Sequence, residues 1–110
     1  MLTKAQAFDP GLVELADLAK ALSHPARLAI LEFLASQDTC ICGEIVEQLP
    51  LAQATVSRHL KVLREAGLIS VTQKGVSSCY CIDGAAVSGL RSRLDAFFRE
   101  VEEGAVGISC

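Results

Sequence analysis

The sequence predicts a mainly α fold with a small β-wing, a winged helix-turn-helix that pairs as a homodimer through its N- and C-terminal helices. Three observations predict it: a glycine-stopped amphipathic helix between Ala52 and Ile69, a short helix and tight turn before it, and a hairpin after it. Within the first, Val56, Leu60 and Leu63 recur at helical spacing, with Leu68 past the stop, and mark a buried stripe. Before it, Glu44 to Leu49 reads as a short helix, and Pro50-Leu51-Ala52 is a turn too short for anything but two helices crossing steeply. After it, Gly67 ends the helix and Leu68 to Gln73 reads as a strand. Lys74-Gly75 then turns the chain into a second strand, Val76 to Ile82.

The chain of 110 residues is expected to form one domain, and its hydrophobic content of 51% is rich for that size. An oligomer is expected to cover part of this surface. Leu12, Leu15, Ala16, Ala19 and Leu22 form one stripe at helical spacing, and Leu90, Leu94, Phe97, Phe98 and Val101 form another. These dimerisation helices, about 9–22 and 85–103, flank the helix-turn-helix at about 43–66 and the wing at about 68–83. Ser23 or His24 is expected to cap the helix that begins at Pro25, a residue suited to the first turn because no amide hydrogen is needed there.

Off the buried stripe lie side chains that read DNA. Gln pairs with adenine, Arg with guanine, Ser and Thr with base or backbone, and Lys with phosphate. Gln53, Ala54, Thr55, Ser57, Arg58, His59 and Lys61, with Lys74 on the wing, are the candidate contacts to double-stranded operator DNA. The net charge of −3 hides an uneven distribution. Arg58, Lys61, Arg64 and Lys74 against Glu65 leave Leu51 to Gly75 at +3 and the remainder at −6. Binding is therefore expected to be strongly salt-dependent. Val76-Ser77-Ser78 carries no arginine for a minor groove, so wing contacts are expected to be weak. Met1 to Pro10 holds no apolar run of signal-peptide length, and no stretch is long enough to span a bilayer. A cytoplasmic location with no membrane partner is expected.

Five cysteines in a reducing compartment point to a metal, metalloid or redox site rather than a disulfide framework. Cys40 and Cys42 fall where winged modules have a short first strand, and Cys79 and Cys81 fall on the returning strand of the wing. Alternation turns Ile41, Tyr80 and Ile82 to the core and the four cysteines to the opposite face. Residues two apart on one strand have Cα atoms about 6.8 Å apart, at the outer limit for a disulfide. Cross-strand partners lie at about 4.5 to 5.5 Å, so a pair such as Cys40 with Cys81 can bridge covalently or share a soft ion. Cys110 is a further candidate thiol.

Two passages resemble the ArsR/SmtB family of metal-responsive winged-helix repressors. Ala21 to Leu31, Ala-Leu-Ser-His-Pro-Ala-Arg-Leu-Ala-Ile-Leu, is similar to that family's opening helix, and Gln53 to Gly67 to its recognition helix. The resemblance implies a homodimer that occupies an operator and releases it when an inducer binds. It also implies that Cys40 and Cys42 match the family's cysteine pair ahead of the recognition helix. The arsenic sensors' third cysteine is replaced here by Ile45, leaving Cys79, Cys81 or Cys110 to complete a site. The family's other site, on the C-terminal helix, uses Asp and His; that helix has Asp95 but no His.

The function so read is a repressor that needs no cofactor and responds to a thiophilic inducer at its cysteines. As(III) or Sb(III) is favoured, with Cd(II) or Zn(II) as further candidates. One alternative is a thiol redox or reactive-sulfur switch working through a disulfide or polysulfide; another is a structural zinc held by all four strand cysteines. A small thiol oxidoreductase, from another class, is disfavoured: the chain has no Cys-X-X-Cys, no Gly-rich phosphate loop and no Ser/His/Asp set placed around a cleft. No enzymatic activity is expected.

Overall fold

The computed structural model describes residues 7–43 and 49–107. The short helix expected at 44–49 lies, apart from Leu49, outside the described residues, as does Cys110.

Helix α1, Pro10–Ala21, starts where Asp9 accepts hydrogen bonds from the backbone N–H groups of Gly11 at 2.9 Å and Leu12 at 3.3 Å. The Gly11 amide is one of those a helix start leaves without a backbone partner, and the carboxylate satisfies it; the Leu12 N–H is shared with the Asp9 carbonyl at 3.0 Å. Helix α2, Pro25–Ala35, is capped by His24, whose Nδ1 accepts from the Ala26 N–H at 3.0 Å. Of the two caps the sequence allows, Ser23 is the one not used: its hydroxyl donates back to the Lys20 carbonyl at 2.6 Å.

Helix α3, Gln53–Glu65, is the predicted recognition helix, and it ends as the sequence predicts. Gly67 has φ +79, its N–H bonds to the Arg64 carbonyl at 2.9 Å, and the Leu68 N–H bonds to the Leu63 carbonyl at 3.1 Å. This paired closure satisfies two terminal carbonyls, requires a left-handed residue that glycine supplies without strain, and swings Leu68 into the core. Strands β2, Ile69–Lys74, and β3, Ser77–Ile82, form the wing hairpin around Gly75, and β1, Ile41–Cys42, pairs with the other edge of β3. The antiparallel order is β1-β3-β2, with Ile41 opposite Tyr80 and Cys42 opposite Cys79. Helix α4, Gly84–Ala105, follows at once, its cap Asp83 accepting from the Ala86 N–H at 3.0 Å.

The core forms where α2 and α3 meet beneath the sheet: Ile30 and Leu34 pack with Val56, Leu60, Leu63, Leu68, Ile69 and Leu90. The N- and C-terminal stripes divide between two roles. Leu15, Leu22, Leu90 and Leu94 pack on this core, whereas Leu12, Phe98 and Val101 stay about half exposed. Arg93 joins the two helices, donating to the Gly11 carbonyl at 3.1 Å and pairing with Glu14 at 3.2 Å. Among the described residues no helix is long and apolar enough to cross a membrane.

Candidate functional site

On α3 the inward stripe is Val56, Leu60 and Leu63, as the periodicity requires, and Gln53, Ala54, Ser57, Arg58 and Lys61 are exposed, with Thr55 half-buried. Lys74 stands exposed at the end of β2, beside the Gly75 turn. Ala52 stands at the cap position of the helix and offers no side chain to its first-turn amides, which among the described residues receive no side-chain cap. Such a terminus attracts phosphate. Arg64, counted in the basic footprint but not among the candidate contacts, lines a groove of about 190 Å³ with Ser57 and Lys61, between the helix and Val71 of the wing. Its spacing of three and four residues from Lys61 and Leu60 was the available signal.

His59 corrects the sequence reading. Expected among the DNA contacts, it is buried at 8% exposure, the only polar residue in the described interior. It adjoins the Val56–Leu60–Leu63 stripe and points toward the start of α2. There its ring lies 4.3 Å from that of His24, and its Nδ1 lies 3.3 Å from an Arg27 guanidinium nitrogen. A guanidinium can only donate, so this Nδ1 accepts and the imidazole is neutral. Burial first, then unfavourable electrostatics from His24 and from the guanidinium groups of Arg27 and Arg58, pushes its pKa below the usual histidine value.

The four strand cysteines come together on one sheet face. Ile41, Tyr80 and Ile82 pack toward the core, and alternation sends their neighbours to the other side. The register then sets Cys42 against Cys79, and the structure bonds Cys40 to Cys81 and Cys42 to Cys79 as disulfides, with Cα separations of 4.7 and 4.0 Å. Cys40 and Cys42 are exposed, Cys81 is half-buried and Cys79 is buried. The bonds tie the segment just before the helix-turn-helix to the wing, so chemistry here acts on the two elements that frame α3.

A helix-turn-helix domain family matches residues 22–72 of the chain. The arsenical resistance operon repressor of Bacillus subtilis is 38% identical over 87 residues, covering 77% of this chain and 82% of that protein. The biofilm growth-associated repressor of Agrobacterium fabrum is 34% identical over 97 residues, covering 88% of this chain and 82% of the relative. Among solved structures, a homodimeric winged helix-turn-helix DNA-binding domain of Mycobacterium bovis, a possible ArsR-family regulator, superposes with a TM-score of 0.63. That match has 26% identity and covers 96% of this chain and 92% of the other. Sequence relationship and fold agree: this chain belongs to the ArsR family of winged helix-turn-helix transcriptional regulators.

Proposed function

We propose that the protein is a homodimeric DNA-binding repressor whose operator affinity is set by the oxidation state of its four strand cysteines. It acts as a regulator, with no catalytic step. The observation that carries the redox reading is the pairing itself: each cysteine of the Cys40/Cys42 segment is bonded to one partner across the sheet, Cys40 to Cys81 and Cys42 to Cys79. A peroxide-class oxidant balances the step. One thiol gives its proton to solvent and its thiolate takes an oxygen from hydrogen peroxide, leaving a sulfenic acid and a hydroxide that recovers the proton as water; the partner thiol then attacks that sulfur, forming the disulfide and releasing a second water. The oxidised sheet then holds the helix-turn-helix and wing in a geometry that fits DNA poorly; only the difference in affinity between the two geometries matters, typically about 1 to 3 kcal/mol. Gln53, Ala54, Thr55, Ser57, Arg58 and Lys61 carry the contacts to the operator, with Lys74 at its flank, and the exposed parts of α1 and α4 form the dimer.

A second reading is favoured by the arsenical resistance repressors among the relatives. Once reduced, the two pairs set four thiolates side by side, a donor set that selects soft ions such as As(III) or Sb(III). In the disulfide form these sulfurs are bonded to each other and offer no thiolate.

Fluorescence anisotropy on promoter DNA separates the two. The redox reading expects reduced protein to bind, hydrogen peroxide or diamide to release it, and dithiothreitol to restore binding. Cys40→Ser with Cys42→Ser should abolish the response. Release of reduced protein by As(III) at about one equivalent per site, with no effect of oxidant, transfers the function to metalloid sensing.

A further inference from the structure

The two disulfides differ in the sulfur each would expel. Cys40 and Cys42 are both exposed residues, so each bond has a solvent-facing cysteine at one end. The leaving sulfurs are unlike. Cys79 is 1% exposed on the middle strand, with Cys42 opposite it on one side and Thr72 on the other. Cys81 is half-buried and opens, together with Cys40, onto a cavity of about 480 Å³ whose wall includes Gln37, Asp38, Thr39 and Tyr80. A thiolate expelled at Cys79 would place its charge where water does not reach, and burial in such a setting makes a thiol less acidic and a slower leaving group. At Cys81 the charge emerges beside solvent.

Resting on the thiol-switch reading above, we propose that Cys40–Cys81 is the exchanging bond of the cluster, and that the cavity beside it receives a low-molecular-weight thiol that forms a mixed disulfide with Cys40. The incoming thiolate attacks the Cys40 Sγ. A sulfur–sulfur bond to the small molecule forms as the Cys40–Cys81 bond breaks, the electron pair leaves on Cys81, and Cys81 takes up the proton that the small thiol gave to solvent. A second thiol then attacks the small molecule's sulfur, frees the Cys40 thiol and departs as the oxidised small-molecule dimer. Two thiols thereby reduce one protein disulfide while Cys42–Cys79 stays closed. Asp38 is the one carboxylate on the described cavity wall, so a thiol bearing an amine is favoured over one bearing a sulfonate.

The test treats the oxidised full chain with cysteamine, 2-mercaptoethanol or 2-mercaptoethanesulfonate, quenches with acid, and locates adducts by peptide mass spectrometry. The adduct is expected on Cys40 with Cys42–Cys79 intact, forming at least about tenfold faster than any adduct on Cys42. After each rate is divided by that thiol's rate with a small free disulfide, cysteamine is expected to exceed the sulfonate by about two- to fivefold. Asp38→Asn is expected to remove that preference. Modification of Cys42 first, or of both at one rate, overturns the proposed order; equal corrected rates for the three thiols on the unaltered chain overturn the role of the cavity. If Cys40 is modified first but operator affinity is the same for oxidised and reduced protein, the functional reading fails and the exchange order stands.

Discussion

Arg27 of α2 donates a hydrogen bond to Nδ1 of His59 at 3.3 Å, and this contact seats the recognition helix against α2. The same guanidinium donates to the Lys20 carbonyl and the Ser23 hydroxyl at 3.3 and 3.4 Å, so one side chain links α1, the α1–α2 turn and α3. It works only while His59 is neutral, because a protonated imidazole has no lone pair to offer.

Stability should therefore fall in mild acid. With the His59 pKa below 6.5 in the folded protein, the unfolded chain takes up its proton first as pH drops. The contribution of neutral His59 is complete above pH 6.5 and is lost progressively below it, until the folded form is protonated too. Urea midpoints measured from about pH 8 to about pH 5 should decline through this window, and His59→Gln, which keeps an acceptor but does not titrate, should flatten the decline.

Arg58 and Lys61 should fail differently. Arg58→Ala is expected to weaken operator binding by about 1 to 3 kcal/mol and relax base preference, and Lys61→Ala to weaken all sequences alike and lower the salt slope by about 1. Anisotropy at several salt concentrations on specific and scrambled duplexes reads both. Equal loss on both duplexes for Arg58→Ala would place that side chain on phosphate instead.

Ala52→Asp should separate stability from binding. A carboxylate at this uncapped helix start is expected to stabilise the fold by about 0.5 to 2 kcal/mol. If those amides meet phosphate, it would also cover them and add a like charge there, so DNA affinity should drop while the thermal midpoint rises. An unchanged affinity would show that the α3 terminus does not meet the backbone.

The exposed half of the C-terminal stripe should govern assembly. Phe98 at 55% and Val101 at 52% exposure present apolar surface on α4 that the single chain does not cover. Phe98→Glu with Val101→Glu is expected to shift sedimentation velocity from dimer to monomer and to leave the helical circular dichroism signal in place. In contrast, Leu63→Ala, at 0% exposure in the core, should cost about 2 to 5 kcal/mol of folding stability.

The recognition helix, its glycine stop and the wing hairpin were all legible in the residues, because each depends on neighbours close in sequence. A stripe at Val56, Leu60 and Leu63, a left-handed Gly67 and a turn at Gly75 are local devices. Alternation likewise assigned the cysteines of β1 and β3 to one face. The direction of His59 was not legible: it borders the apolar stripe, and only the arrival of α2 with Arg27 and His24 supplies the partners that make its burial tolerable. Nor did periodicity separate the residues of α1 and α4 that serve the chain's own core from those left outside it, because both sets share one spacing.

The sequence by itself determined the type of each described element and the chemical groups available, since helix period, strand alternation and glycine conformation are properties of short stretches. Only the tertiary structure decided which groups meet. The pairing of Cys40 with Cys81 and Cys42 with Cys79 joins residues 41 and 37 positions apart, and one register of β1 against β3 sets both. A slip of one residue in β1 would turn Cys40 and Cys42 to the core face and Ile41 away from it, so the packing of Ile41, with Tyr80 and Ile82, against the core is what holds the sulfurs in register.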